Sequence, residues 1–484
     1  MHLEAIDWLI IVAVPLTAWA LAAHGRNKAG AFGTFRGYFL ALGRLSTTSV
    51  AATYIGANLT FTSIFLILSL EAHKRGAWVL SVPFFWIIGT GVTVAVYPRM
   101  RPHIERGRTL HQTLGDVFNS PNLQRWAATW TIVAFVGTVA LEFYGAILLI
   151  SWAGVPLLST LIIAMALAYV VAAFTISGGM RGIARADIFL DVVTFGGALI
   201  LAVAVAQQMP LRSIPRAALL PVLEDQWLFV LSMGVLFIPF QVCTLDSWQR
   251  LLAWREKPDS PGRWLWSGGA ALAAAYCIPV FLGVVASAKG LAGPTSVQPL
   301  EAILHWIQLS PVLLGVCVAG FLGAVLSTCD ELLNCASMAL LTDLWDLRLG
   351  EQASPAESAR YFASGKFYTG LFALVSAGLA VLAVWFGRAI SDLALALFSA
   401  QVAFAWPLGV ALFAPNAAPS LARSASAAMA GSSLTAIGMV AGGWMYGSEE
   451  LTAAAPIGAF VVAGLITSTS WAVWRVRQHL RRSV

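Results

Sequence analysis

Apolar runs of about 20 residues recur from one end of this 484-residue chain to the other. Each is long enough to cross roughly 30 Å of hydrocarbon as a helix. About thirteen such spans can be drawn, at 5–23, 45–70, 78–97, 125–152, 156–176, 187–207, 227–249, 266–288, 311–342, 367–387, 391–413, 427–446 and 453–474. Lipid offers backbone amides and carbonyls no partners, so runs of this length must close their hydrogen bonds internally as helices. The expected fold class is an all-α polytopic membrane protein. Only 11% of residues are charged and the mean hydropathy is +0.79, against about 25% charge in a soluble domain. Connections of roughly 20 to 25 residues at most leave no room for a second domain, so residues 1–484 read as one transmembrane unit.

Basic residues set the expected orientation. With the N-terminus outside, about 23 of the 29 Lys and Arg residues fall in cytoplasmic loops, as the positive-inside rule requires. The C-terminus is then cytoplasmic, and the localisation is the plasma (inner) membrane. The net charge of +6 sits in short juxtamembrane loops such as Arg99, Arg101, Arg106 and Arg108. It reads as a topology signal with the bilayer as partner, not as nucleic-acid affinity. The first span carries Glu4 and Asp7 where a signal peptide has basic residues, and reads as a retained helix. The five cysteines form no CxxC pair and the histidines no metal-ligand spacing, which speaks against a disulfide framework, a zinc site or a metalloenzyme.

Three spans carry polar residues where lipid would select Leu and Ile. The stretch Gly323 to Asp343, GAVLSTCDELLNCASMALLTD, places Ala324, Ser327, Thr328 and Glu331 at i, i+3, i+4 and i+7, one face of a helix. Ionisable groups at membrane depth point by default to a substrate or ion pathway, although both hydroxyls could equally bond carbonyls one turn back. The second span carries Gly56, Asn58, Thr60, Thr62 and Ser63 at its middle. Either it is interrupted there, with freed backbone groups lining a cavity, or it presents a small-residue packing face. The seventh span has Pro239, which removes an amide, followed by Gln241, Thr244 and Asp246. Two broken spans five helices apart suggest a five-plus-five inverted repeat, over about 45–207 and about 227–413, with 5–23, 427–446 and 453–474 as extra helices.

These residues resemble the sodium:solute symporter family, which has a leucine-transporter-like fold. Three stretches carry the resemblance: SGGMRGIARAD at Ser177 to Asp187, similar to a cytoplasmic Gly-Gly loop leading to an aspartate; WQRLLAWREKP at Trp248 to Pro258, similar to a Gln-Arg motif; and the ninth span with its Ser-Thr pair, acid and distal Asp. The resemblance implies a sodium-coupled secondary symporter that imports a small polar organic solute by alternating access, with no enzymatic activity and no cofactor beyond Na+ as coupling ion. A proton-coupled transporter or a non-transporting solute sensor of the same fold is the alternative. It further implies sodium ligands in the carbonyls of Gly56, Leu59 and Ala324 and the hydroxyls of Ser327 and Thr328. A hard cation suits such neutral oxygens.

The resemblance places Asp187 near the inner end of the ion path, where it could aid cation release or also serve as a helix N-cap; Asp191 follows one turn later. Asp330 and Glu331 are further ion-coupling candidates. Where most relatives read ADSLLN this chain reads CDELLN, so Glu331 replaces a hydroxyl. It could strengthen a cation site, accept a proton or pair with a basic loop residue. Sugar-transporting relatives have a Glu-Gln pair where this chain has Thr62 and Ser63, and Glu where it has Phe85, which disfavours a sugar. The solute-facing candidates are Asn58, Thr62, Trp86, Glu142, Gln241 and Thr244. Glu142 could attract an ammonium group or sit protonated in helix packing. A carboxylate solute could instead be held by a half-helix N-terminus.

Overall fold

A computed structural model describes residues 3–27, 34–156, 159–254, 262–291, 298–345, 355–386 and 390–482. Their regular structure is helical throughout, and eleven helices are long and apolar enough to cross a membrane. Two of the eleven, Phe61–Glu105 and Thr160–Gln208, run to 45 and 49 residues. At 1.5 Å per residue each greatly exceeds a 30 Å hydrocarbon layer, and each contains two of the expected spans or parts of them. Both bend at a glycine with positive φ, Gly76 (φ 62) and Gly179 (φ 53).

The Gly179 bend corrects one expectation. Ser177 to Asp187 is not a loop: apart from Gly179 its backbone stays helical inside Thr160–Gln208. A Cβ on Gly179 would meet the Tyr38 carbonyl at 2.8 Å, so the site demands glycine both for its φ and for space. Asp187 accordingly lies inside a helix and is fully buried, so it does not cap an N-terminus.

The core of the bundle is the helix Pro311–Ala339, almost wholly buried, which packs most extensively along Thr160–Gln208. Small residues let the two backbones approach. A Cβ on Gly320 would sit 2.8 Å from the Val193 carbonyl. The Thr194 hydroxyl donates across the seam to the Gly320 carbonyl at 2.9 Å. The last four residues of the Trp248 to Pro258 stretch, from Arg255 on, lie outside the described residues.

Both expected interruptions occur. The first lies between the helix Thr47–Asn58 and a π-helical turn Phe61–Leu66 that continues into Ile67–Arg75. Leu59 (φ −92, ψ 64) and Thr60 (φ −79, ψ 146) leave the helical region. The second lies at Thr244 (φ −102, ψ 137), between Gln226–Cys243 and Leu245–Ala253. The helix runs straight through Pro239 and breaks five residues later. There the Trp248 indole donates to the Val242 carbonyl at 2.9 Å, supplying a partner that the helix no longer can. The ends of the two interrupted segments are tied together, since the Leu45 amide donates to the Ala253 carbonyl at 3.0 Å.

Candidate functional site

A helix that stops at membrane depth exposes carbonyls on one side of the gap and amides on the other, and each needs a partner. On the carbonyl side, Gly56 O accepts the Thr328 hydroxyl at 3.1 Å and Asn58 O accepts the Tyr276 hydroxyl at 2.8 Å. On the amide side, the Thr60 hydroxyl caps Ile64 N at 3.1 Å. The amides of Phe61 and Thr62 donate to the Glu142 carboxylate at 2.9 and 3.1 Å.

Glu142 is therefore a helix cap supplied from a different helix. A carboxylate at a helix N-terminus meets both free donors and a favourable dipole. Its own helix, Pro121–Ser151, is pressed against the break. The Thr62 hydroxyl donates to the Leu141 carbonyl at 2.9 Å, and a Cβ on Gly145 would lie 2.2 Å from that hydroxyl.

Four of the residues singled out for ion binding converge. Thr328 reaches Gly56 as described, and the neighbouring Ser327 hydroxyl donates to Asp187 Oδ1 at 2.8 Å. Gly56 has no room for a side chain: a Cβ there would lie 2.0 Å from Ser327 Oγ and 3.2 Å from the Asp187 carboxyl carbon. Leu59, at the break just past Asn58, and Ala324, inside Pro311–Ala339, are buried, each three residues along the chain from this contact. A hydroxyl that donates to a carbonyl can rotate its proton aside and offer a lone pair. Gly56 O, Ser327 Oγ and Thr328 Oγ1 thus form an oxygen cluster suited to a hard monovalent cation.

Behind this cluster is a buried charge network whose centre sequence reasoning missed. Arg250, fully buried in Leu245–Ala253, donates to Asp246 Oδ2 at 2.6 Å, to the Thr53 carbonyl at 2.9 Å, and to the Glu331 carboxylate. Of the three roles open to Glu331, the structure shows pairing with a basic residue, but one inside the helix Leu245–Ala253 and not in a loop. Gln249 donates alongside to Asn334 Oδ1 at 2.7 Å and to the Phe39 carbonyl at 2.9 Å. The Gln-Arg pair thus grips the Pro311–Ala339 helix at two positions one turn apart. The Asp246 and Arg250 spacing of four was a readable signal; the partner on a distant helix was not. Asp330, also fully buried, has neither oxygen hydrogen-bonded, and it interacts electrostatically with Asp187, Asp191 and Arg250.

A cavity of about 770 Å³ opens beside the first break. Asn58, Thr60 and Trp86 line its deep part, and Lys74 and Glu449, paired at 3.3 Å, stand at its exposed end. Of the six solute-facing candidates, Asn58 and Trp86 are on its wall. The other four are engaged within the protein. Thr62 and Glu142 hold the helix break, Gln241 Nε2 donates to the Trp86 carbonyl and to Thr90 Oγ1, each at 3.1 Å, and Thr244 bonds Ser247 at 3.2 Å.

No protein-family model and no curated protein matches the chain in sequence. Among solved structures it is similar to a substrate-bound, outward-open Na+-coupled sialic acid symporter. The TM-score is 0.70 over 96% of this chain and 98% of that one, at 14% sequence identity. Likeness at that identity is likeness of fold.

Proposed function

We propose that this chain is a sodium-coupled secondary symporter that imports a small polar organic solute by alternating access. The observation that carries the reading is the meeting of Gly56, Ser327, Thr328 and Asp187 at a helix break beside a deep cavity. Sodium bound by Gly56, Leu59, Ala324, Ser327 and Thr328 would bridge the interrupted span and the Pro311–Ala339 helix. That would favour the conformation in which the cavity is open. Asp187 and Asp330 lie beside this site as ion-coupling residues. The fold likeness to a Na+-coupled symporter supports the same reading.

With the N-terminus outside, as the basic residues require, the mouth at Lys74 and Glu449 faces outward. The two breaks then occupy matching places in repeats at about 45–207 and about 227–413, and alternating access would be the rocking of these repeats about the site. Inward sodium movement would contribute roughly 2.3 kcal/mol per charge per 100 mV. Proteoliposomes offered a mixture of labelled small metabolites should accumulate one class of solute only under an inward sodium gradient. Equal accumulation under an inward potassium gradient overturns the reading.

A further inference from the structure

The charge balance of the cavity wall selects among solutes. Every basic residue on the described wall is already paired with a carboxylate. Lys74 bonds Glu449 at 3.3 Å, and Arg75 bonds Asp225 at 2.6 Å and Glu71 at 2.9 Å. The backbone amides at the break, which could have held a carboxylate ligand, are filled by Glu142. An anionic solute would therefore meet basic groups whose charge is already offset by carboxylates, Arg75 keeping only its Nη1 without a partner, and would lose much of its hydration uncompensated.

A cation meets the opposite situation. Asp246 lies on the wall of the cavity, and Arg250, which pairs with it, is shared with Glu331. One guanidinium thus serves two carboxylates, and three further acids, Asp187, Asp191 and Asp330, lie within electrostatic reach of it. Gln401, 3% exposed and on the same wall, has a carbonyl oxygen with no hydrogen-bond donor. The same wall carries an aromatic enclosure. The Trp86 ring centroid lies 5.5 Å from Tyr276, 6.0 Å from Phe237 and 6.2 Å from Phe240, all on the wall. Aromatic faces attract a desolvated ammonium group while accepting its alkyl or aryl body.

We infer that the solute of this cavity is an organic ammonium compound, its nitrogen held between the aromatic enclosure and the acceptors Asp246 and Gln401. The inference rests on the cavity being the solute path of a symporter. Its test is therefore read separately from sodium coupling.

The purified full-length protein in detergent is titrated with tetramethylammonium, choline and phenethylamine, with their neutral isosteres 3,3-dimethylbutanol and phenylpropanol, and with 3,3-dimethylbutyrate and phenylpropionate. Thermal stability is read in sodium and again in potassium. At least one ammonium compound should stabilise the protein, its neutral isostere should bind about tenfold more weakly or worse, and the carboxylates should have no effect. Asp246→Asn should weaken that binding. Because this change also disturbs Arg250, Gln401→Lys is the second variant, and it should abolish ammonium binding by placing a like charge in the site. The inference is overturned if no ammonium compound stabilises the protein. It is equally overturned if a neutral or carboxylate member binds as tightly, or if Gln401→Lys leaves ammonium binding unchanged. A sodium response that is absent in every condition, with ammonium selectivity intact in potassium, would remove the symport reading alone.

Discussion

Residue by residue, the proposed sodium binding turns on which oxygens are free to leave their present partners. Ser327 and Thr328 hold only single neutral or charge-assisted hydrogen bonds across the helix interface. Their removal should therefore be tolerated by the fold while costing sodium affinity. Gly56→Ala should abolish the sodium response by steric means, since its Cβ would overlap Ser327 Oγ; an unchanged sodium titration would count against the site. Arg250 presents a different case. Arg250→Leu leaves Asp246 and Glu331 buried without their cation, and breaking a buried pair in this way costs about 3 to 5 kcal/mol. Arg250→Leu combined with Glu331→Leu should recover part of that loss, as a double-mutant cycle of chemical or thermal unfolding would show. These roles differ in how legible they were. Hydroxyls at i and i+1 inside an apolar run announce themselves in sequence, and the residues at Gly56, Ser327 and Thr328 do converge. Which carboxylate Arg250 meets depends on the register of two helices 81 residues apart, and no local pattern encodes that.

Among the helices, the interrupted span is held by a partner. Glu142 caps Phe61 and Thr62, while Gly145, one turn on, admits the Thr62 hydroxyl. Glu142→Gln keeps an acceptor but loses the charge at a helix N-terminus, and should destabilise the protein by about 1 to 3 kcal/mol. Gly145→Val should separate the two helices and be more harmful. Equal melting temperatures for Glu142→Gln and the native chain would show that the cap carries no weight. The outer rim supplies a pH test. The hydrogen bond from Arg75 holds the Asp225 carboxyl below its ordinary range. A depressed folded pKa gives stability that is complete above the unfolded value of about 3.9 and lost as pH falls through the lower folded value. Asp225→Asn should therefore lower the melting temperature near pH 7, and the difference from the native chain should shrink as pH falls below about 3.9 toward the depressed folded value. The breaks themselves were readable because lipid disfavours Gly, Asn and Thr clustered at mid-span unless the backbone there opens or packs closely. Their exact place was not: Pro239 suggested a break where the helix continues, because a neighbouring helix can absorb the missing hydrogen bond. The glycine pair at Gly178 and Gly179 suggested a loop, whereas a single residue with positive φ suffices to turn one helix into the next.

Over the whole molecule, the proposed alternating access would move helices grouped with the interrupted span relative to those that carry Pro311–Ala339. The oxygen cluster at Gly56, Ser327 and Thr328 lies on the boundary. A cation held there by both sides stabilises only conformations in which they meet, and by mass action the gain grows with concentration, to about 2.7 kcal/mol at 100 times the dissociation constant. The membrane character and helical fold were legible from composition and run length alone, because lipid allows so few alternatives. Solute selectivity was not, because it depends on which polar groups the folded protein has already used. Glu142 looked available to a ligand in the sequence and is occupied in the structure, while Asp246 and Gln401 line the cavity. Whether the oxygen cluster is a sodium site is decided by direct binding of radioactive sodium to the purified protein at constant ionic strength, balanced with potassium. The native chain should bind sodium saturably, and Ser327→Ala with Thr328→Ala should lose that binding while retaining a cooperative thermal unfolding transition. Saturable binding that persists unchanged in the double variant, or that potassium displaces as readily as sodium, would contradict sodium coupling through these residues.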